Sequence, residues 1–210
     1  MADVFSDLMK VDSSLVRKWG RLLVAVEDYS KPVPASFFTT GDNTPVLPPT
    51  AKQLGFITAD GVTLGRSVSS TDTSMLQWTE PVRSDKESDV STIACAFGEA
   101  TNAYVNAVYE GKQVADFPAS EKTPIVVHVG EIDEFPLYRV HLIGVDGIGD
   151  QAVYRYIYGY RGKVTSVTDR TLARANPETI GFTLTLYKDP VSKRSVSDMQ
   201  NGPLLNPVTP

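Results

Sequence analysis

The stretch Ile180-Gly-Phe-Thr-Leu-Thr-Leu186 decides the fold class of this 210-residue chain. Apolar side chains occupy every second position of the stretch, and threonines fill two of the gaps. A period of two residues is typical of a β-strand that buries one face and exposes the other. The segment therefore predicts a half-buried strand.

Seven further segments carry alternating or β-branched apolar residues and predict more strands: 20–26, 55–58, 62–64, 91–97, 124–129, 137–143 and 153–158. The sequence Ala59-Asp-Gly61 predicts a tight turn between the second and third of these, since Asp-Gly tolerates positive φ.

One segment has a helical period instead. Within 99–110, Ala100, Tyr104, Ala107 and Val108 share one helical face, and Gly111 follows as a terminating residue. Strands that do not alternate with helices favour a sandwich or barrel over a parallel α/β sheet. The predicted fold class is mainly β, a β-sandwich with one flanking α-helix.

A proline-rich arm interrupts the strands, with five prolines between Pro32 and Pro49. Each proline removes a main-chain donor and restricts φ, so the arm is neither a helix nor a central strand. Its apolar side chains need cover from this chain's own core or from a neighbouring subunit, and both remain open. The candidate inter-subunit contact residues of the arm are Pro34, Phe37, Phe38, Pro48 and Pro49.

The last twenty residues show no sustained period and contain three prolines after Pro190. We expect them to form a tail ordered only by contact with something else. The domain prediction is a single β domain over 1–190, with the arm at about 30–50, and a C-terminal extension over 191–210.

Composition excludes several classes of protein. A net charge of −5 and a pI of about 5.1 disfavour a nucleic-acid binder with a basic face. A single cysteine forms no internal disulfide, and no apolar run approaches the ~18 residues that span a bilayer. The start MADVFSDLMK has no apolar core and is not expected to be a secretory signal.

The charge is unevenly distributed along the chain. Residues 61–140 carry a net −6, residues 141–210 carry +2, and residues 1–60 carry −1. Two interpretations remain open: a solvated surface, or regions of opposite sign that meet between neighbouring subunits.

Few residues have side chains that could bind a metal or take part in catalysis. His128 and His141 lie in predicted strands without a third ligand at a metal-binding spacing, and Cys95 is predicted to be a small core residue. No catalytic motif is present, so no enzyme activity, metal or cofactor is expected. Tyr154, Tyr156, Tyr158 and Tyr160 predict a packed face or an interface, with a ligand-binding barrel as the alternative.

The densest acidic cluster consists of Glu131, Asp133 and Glu134, with Glu121 nearby. It predicts either a solvated loop or a surface that repels polyanions.

Several short motifs occur in an order that resembles a known family. They are Gly20-Arg-Leu-Leu-Val-Ala-Val26, then Leu54-Gly-Phe-Ile-Thr-Ala-Asp-Gly-Val-Thr63 and a charged strand around 81–84, then 91–102 with its helix, and the closing strand 181–190. Over residues 20–190 the chain resembles the major tail proteins, or tail tube proteins, of long non-contractile-tailed bacteriophages, especially those that infect actinobacteria.

The resemblance implies a β-sandwich subunit whose inner sheet contributes to an oligomeric β-barrel. Six such subunits form a ring, and stacked rings form the tube through which DNA is ejected into the host. The resemblance also implies assembly in the host cytoplasm, location in the virion, and tape measure, tail terminator and distal tail proteins as partners. A terminator or distal tail component of the same fold remains the alternative. The acidic residues Glu121, Glu131, Asp133 and Glu134 are then candidates to face the lumen, where they would repel DNA phosphates.

Overall fold

The computed structural model describes residues 15–41, 44–130, 134–149 and 152–201. Eight strands and one α-helix account for its regular structure, which confirms the mainly β fold class with one flanking helix. The strands are β1 (Arg21–Asp28), β2 (Lys52–Gln53), β3 (Ile57–Met75), β4 (Trp78–Phe97), β5 (Leu137–Asp146), β6 (Val153–Val167), β7 (Ile180–Leu186) and β8 (Val196–Asn201). The helix, α1, is Ala103–Glu110, and a short 3-10 turn follows at Val114–Asp116.

All of these strands belong to one antiparallel sheet that does not close. Its order is β2-β1-β5-β6-β7-β4-β3, with β8 paired to β6. Strand β6 pairs with β5 from Val153 to Lys163 and with β8 from Tyr154 to Gly159, whereas its C-terminal part from Gly162 to Val167 pairs with β7. Strand β6 therefore passes from one half of the sheet to the other, as strands do at the corner of a sandwich.

Two glycines permit the close packing at this corner. A Cβ on Gly162 would lie 2.7 Å from Val140 Cγ2, and one on Gly159 would lie 2.7 Å from Leu186 Cδ2. The absence of both side chains allows β5 and β7 to approach β6 closely.

The main core lies between the two halves of the curled sheet and beneath α1. The strongest predicted strand, β7, contributes Ile180, Phe182, Leu184 and Leu186 to this core, all almost fully buried. The ring of Phe182 packs against the Phe97 ring at a centroid distance of 5.4 Å. The alternating apolar residues of the sequence thus lie on the face of β7 that forms the main core.

The helix is shorter than the helical period predicted. It begins after Asn102, whose side chain accepts hydrogen bonds from the amides of Tyr104 and Val105. It ends at Gly111, which has a φ of 87° and donates to the carbonyls of Ala107 and Val108, as predicted for a terminating glycine. Within the described ranges, no helix has the length and hydrophobicity needed to cross a membrane.

Three predictions about strands differ from the structure. The predicted turn at Asp60-Gly61 is wrong, because these residues lie within the continuous strand β3. The register instead shifts between Ile57 and Val62, and Gly61 has a φ of 75°. An Asp-Gly pair serves a bulge as well as a turn, since both need a residue with positive φ.

The predicted strand 124–129 is also wrong, because this segment pairs with no strand in the described structure. Conversely, the tail contains strand β8, which pairs with residues Tyr154–Gly159 of β6. Strand propensity expresses the fit to a neighbouring strand, and sequence periodicity does not reveal which segments find such a neighbour.

Candidate assembly surfaces

Strands β3 and β4 form a hairpin that extends far beyond the core. They contain 19 and 20 residues, and every residue from Arg66 to Asp89 is exposed. The neighbour β7 pairs only with Ser91–Phe97 of β4. We call the part from Gly65 to Val90 the projecting hairpin.

The projecting hairpin has two free edges within the described structure, because β3 is the last strand of the sheet and β4 has lost its neighbour there. At a rise of ~3.3 Å per residue, the ten residue steps from Arg66 to Leu76 span roughly 33 Å. Isolated two-stranded hairpins are marginally stable in water, and free edges template pairing with another chain. The projecting hairpin therefore has the properties of an assembly element.

Internal pairs preserve the hairpin's shape. Arg66 binds Asp89 through two hydrogen bonds of 2.9 and 2.7 Å, and Lys86 also contacts this carboxylate. These two cations keep the pKa of Asp89 well below its usual value. The hydroxyls of Ser69 and Ser88 form a cross-strand hydrogen bond of 2.7 Å.

The hairpin tip is apolar and exposed. Leu76 is 99% exposed, Trp78 63% and Met75 55%. Large apolar side chains clustered at the end of a projecting element are typical of a contact surface.

The proline-rich arm packs on the face of the sheet opposite the main core. Phe37 lies with its ring centroid 5.2 Å from that of Tyr156 and 5.0 Å from that of Tyr158. Phe38 contacts Tyr156, and Val33 and Leu47 join the same cluster. This chain's own sheet thus covers one side of the two phenylalanines, which are half-buried.

The remaining arm candidates are three prolines, which differ in exposure. Pro34 and Pro48 are half-buried, and Pro49 is exposed. Whether any arm residue also contacts another subunit stays a prediction.

The arm also encloses a buried polar network. The hydroxyl of Tyr156 lies 2.8 Å from His141 Nδ1 and donates to the carbonyl of Val46 at 3.3 Å. His141 Nε2 lies 3.4 Å from a carboxylate oxygen of Glu27, whose other oxygen accepts from Thr50. Both Glu27 and His141 are buried, so the arm is attached to the sheet by polar as well as aromatic contacts.

Burial lowers the pKa of His141 to about 4, against the opposing effect of the Glu27 carboxylate. The imidazole is therefore neutral at physiological pH. His128 does not join it, because His128 is exposed and lies outside the strands. No group of three potential metal ligands occurs in the described part of the chain.

The tyrosine face predicted from β6 is covered rather than open. Tyr156, Tyr158 and Tyr160 are buried beneath the arm, and Tyr154 is half-buried. Burial also raises the pKa of Tyr158 to about 12. The arm thus occupies the surface that a ligand-binding barrel would offer. Cys95 lies in the core, where burial raises the pKa of its thiol to about 12, as expected for a core residue.

The structure describes two of the four candidate lumen residues. Glu121 is exposed in a turn, and its carbonyl accepts a hydrogen bond from the amide of Ala103 at the start of the helix. Glu134 is exposed and pairs with Lys163 at 2.5 Å, which lowers the pKa of Glu134. Glu131 and Asp133 lie outside the described residues.

A compact turn between β7 and β8 is a feature that the sequence did not predict. The buried Asp189 carboxylate accepts from the Tyr29 hydroxyl at 2.8 Å and from the Ser192 amide at 2.7 Å. Lys193 has a φ of 61°, a left-handed conformation that is uncommon for this residue type. These contacts lower the pKa of Asp189 to about 2, and they give residues 187–194 a defined shape. The Asp189-Pro190 pair, with Ser192 two residues further on, is a local signal of such a turn.

No family model matches the sequence, and no curated protein matches it. One solved structure with a similar chain is the six-fold symmetrised cryo-EM structure of the anti-feeding prophage (AFP) baseplate. The two chains share 10% identity and a TM-score of 0.38 over 92% of this chain and 98% of that one. The neighbour is a component of a prophage baseplate, and at this TM-score the likeness does not bear on the function of the present chain.

Proposed function

We propose that the protein is a structural virion protein, the tube subunit of a long, non-contractile phage tail, and that it acts without catalysis. The observation that carries the proposal is the projecting hairpin with its two free edges. The ordered motifs that resemble tail tube proteins support the same conclusion.

Sheet extension is the proposed mechanism of assembly. The outer edge of β3 in one copy would pair with the free edge of β4 in the next copy, so that each hairpin has a neighbour on both sides. Such a head-to-tail contact closes into a ring when the rotation between copies permits. Closure leaves no free edge, which removes the aggregation hazard of the isolated subunit.

The hairpins would then form the wall of a channel, and the resemblance implies six copies in the ring. The projecting hairpin carries three cations and five carboxylates, a net charge of −2. An acidic wall repels DNA phosphates, so that DNA passes without specific binding. We further propose that at least two of Glu121, Glu131, Asp133 and Glu134 face this channel.

The arm and the C-terminal segment are proposed as secondary contacts between subunits. In this proposal, the partly exposed arm residues touch a neighbouring copy while Phe37 and Phe38 stay on their own sheet. The tape measure, tail terminator and distal tail proteins are the proposed further partners in the virion, and the host cytoplasm is the proposed place of assembly.

Negative-stain electron microscopy of the purified chain tests the proposal. The expected result is six-fold rings or stacked tubes in the wild-type protein. A variant that replaces Arg66–Asp89 with a two-residue turn should remain folded, because those residues are all exposed, and should form no rings. A matched control shortens the loop between β6 and β7, whose residue Leu172 is 83% exposed, and should assemble normally.

A dilution-independent monomer without rings at high protein concentration would contradict the proposed function. A single closed ring that never stacks would instead favour a tail terminator of the same fold. Rings formed equally well by the hairpin-deleted variant would refute the mechanism of sheet extension.

A further inference from the structure

The turn at residues 187–194 presents positive charge and an apolar side chain on a defined backbone. Lys188, Lys193 and Arg194 are exposed, and among the described residues none of the three has a salt-bridge partner. Val191 at the same turn is 88% exposed. The only carboxylate of the turn, Asp189, is buried and already bonded to Tyr29 and Ser192. The turn therefore offers cations that no carboxylate in the described ranges neutralises through a salt bridge.

The distal part of the projecting hairpin has the complementary character. Asp72 and Glu80 are exposed, and within the described structure neither forms a salt bridge. Between them lie the apolar residues of the tip, with Leu76 almost completely exposed. An apolar centre flanked by carboxylates matches an apolar residue flanked by cations.

The two surfaces cannot meet within one chain. Leu186, directly before the turn, pairs with Ser91 at the base of the hairpin, so the turn lies beside that base. The tip lies roughly 33 Å away, at ~3.3 Å for each residue between Arg66 and Leu76. A tip can therefore reach an equivalent turn only on a second copy.

We propose that the hairpin tip of one copy binds the 187–194 turn of a second copy. The contact is heterologous, since each copy offers one tip and one turn, and repeated contacts of this kind make an open stack rather than a closed pair. This inference rests on the proposed function, because it identifies the partner surface through which rings stack. The expected distance between successive rings is set by the hairpin and is roughly 33 Å.

Site-specific disulfide formation tests the contact without requiring rings. A Leu76→Cys variant is mixed with a Val191→Cys variant under mild oxidation, and dimers are resolved by non-reducing electrophoresis. The native Cys95 is buried and does not compete. We expect a heterodimer band for this pair. The matched control pairs Leu76→Cys with Leu172→Cys, which is 83% exposed and distant from the turn in sequence, and should give no such band.

Charge reversal tests the role of the contact in stacking. The triple variant Lys188→Glu, Lys193→Glu, Arg194→Glu should form rings but no tubes. When the Val191→Cys chain carries these three changes, it should no longer cross-link to the Leu76→Cys chain. Asp72→Lys with Glu80→Lys on the Leu76→Cys chain should restore the cross-link. Cross-linking no greater than the control, or tubes of wild-type length from the triple variant, would overturn the inference. If the wild-type protein forms no rings, the proposed function fails, and the disulfide test still decides whether tip and turn meet.

Discussion

The buried His141 should make the stability of the protein depend on pH in a way that one substitution removes. Burial lowers the pKa of His141 from its usual 6.5 to about 4 in the folded state. Below pH 6.5 the unfolded chain therefore binds a proton that the folded chain excludes. Because the unfolded state then binds more protons, the free energy of unfolding falls as the pH decreases.

The size of the change in the free energy of unfolding follows from the difference between the two pKa values of His141. One proton changes the free energy of unfolding by ~1.4 kcal/mol per pH unit. Between the usual pKa of 6.5 and the folded value of about 4, His141 should contribute a loss of about 3 kcal/mol. The contribution is fully present above pH 6.5, decreases as the pH falls, and changes no further below about pH 4.

Urea unfolding at fixed protein concentration, followed by tryptophan fluorescence between pH 4 and pH 8, measures this effect. Other groups also titrate in this range, so the quantity of interest is the difference between the wild-type protein and His141→Gln. Glutamine retains hydrogen-bonding groups near Tyr156 and Glu27 but has no titrating ring. Its free energy of unfolding should be lower at neutral pH and should decline less steeply toward pH 4. Parallel pH curves for the two proteins would refute the reasoning.

Three further predictions concern packing and stability. Phe37→Ala should lower the free energy of unfolding by ~2 kcal/mol in urea titrations, since it removes two ring contacts with centroid distances of 5.2 and 5.0 Å. The control Phe56→Ala, at a site 79% exposed, should change this free energy by less than ~0.5 kcal/mol. Gly162→Ala should lower the free energy of unfolding by ~1–3 kcal/mol, because an added Cβ has no space at the sheet corner. Gly20→Ala is its control, since a Cβ added there meets nothing within 4 Å. Equal thermal midpoints for the two variants would contradict this prediction. Asn102→Ala should lower the free energy of unfolding by ~1 kcal/mol by removing the helix cap. Asn102→Ser should restore most of the thermal stability, because its hydroxyl can cap the helix without placing a carboxylate beside Glu99, and no recovery would argue against the cap.

Much of the strand content was predictable because these strands bury one face in their own chain. The segment 180–186 alternates in sequence, and the same residues lie in the core. The helix terminus at Gly111 was also predictable, since positive φ favours glycine. Strand β8 and the unpaired segment 124–129 were not, because pairing depends on which edge is available.

The assembly surfaces were predictable only in part. The proline-rich arm was recognised as a separate element, but its attachment depends on Tyr156 and Tyr158, which follow it by more than a hundred residues. The projecting hairpin gave no clear signal, since an exposed ribbon of serine, threonine and charged residues has no buried face to impose a period.

The sequence by itself determined the mainly β class, the single helix and the division of charge between an acidic middle and a basic end. These properties depend on local periodicity and on composition, which the chain carries wherever it folds. Only the tertiary structure decided that the acidic residues 72 and 80 flank an exposed tip and that the basic residues 188, 193 and 194 surround a compact turn. Those positions follow from long-range strand pairing. Strand β7 is much shorter than β3 and β4, and it stops where the hairpin begins to project. The difference in strand length leaves the edges and tip of the hairpin and the turn after β7 exposed.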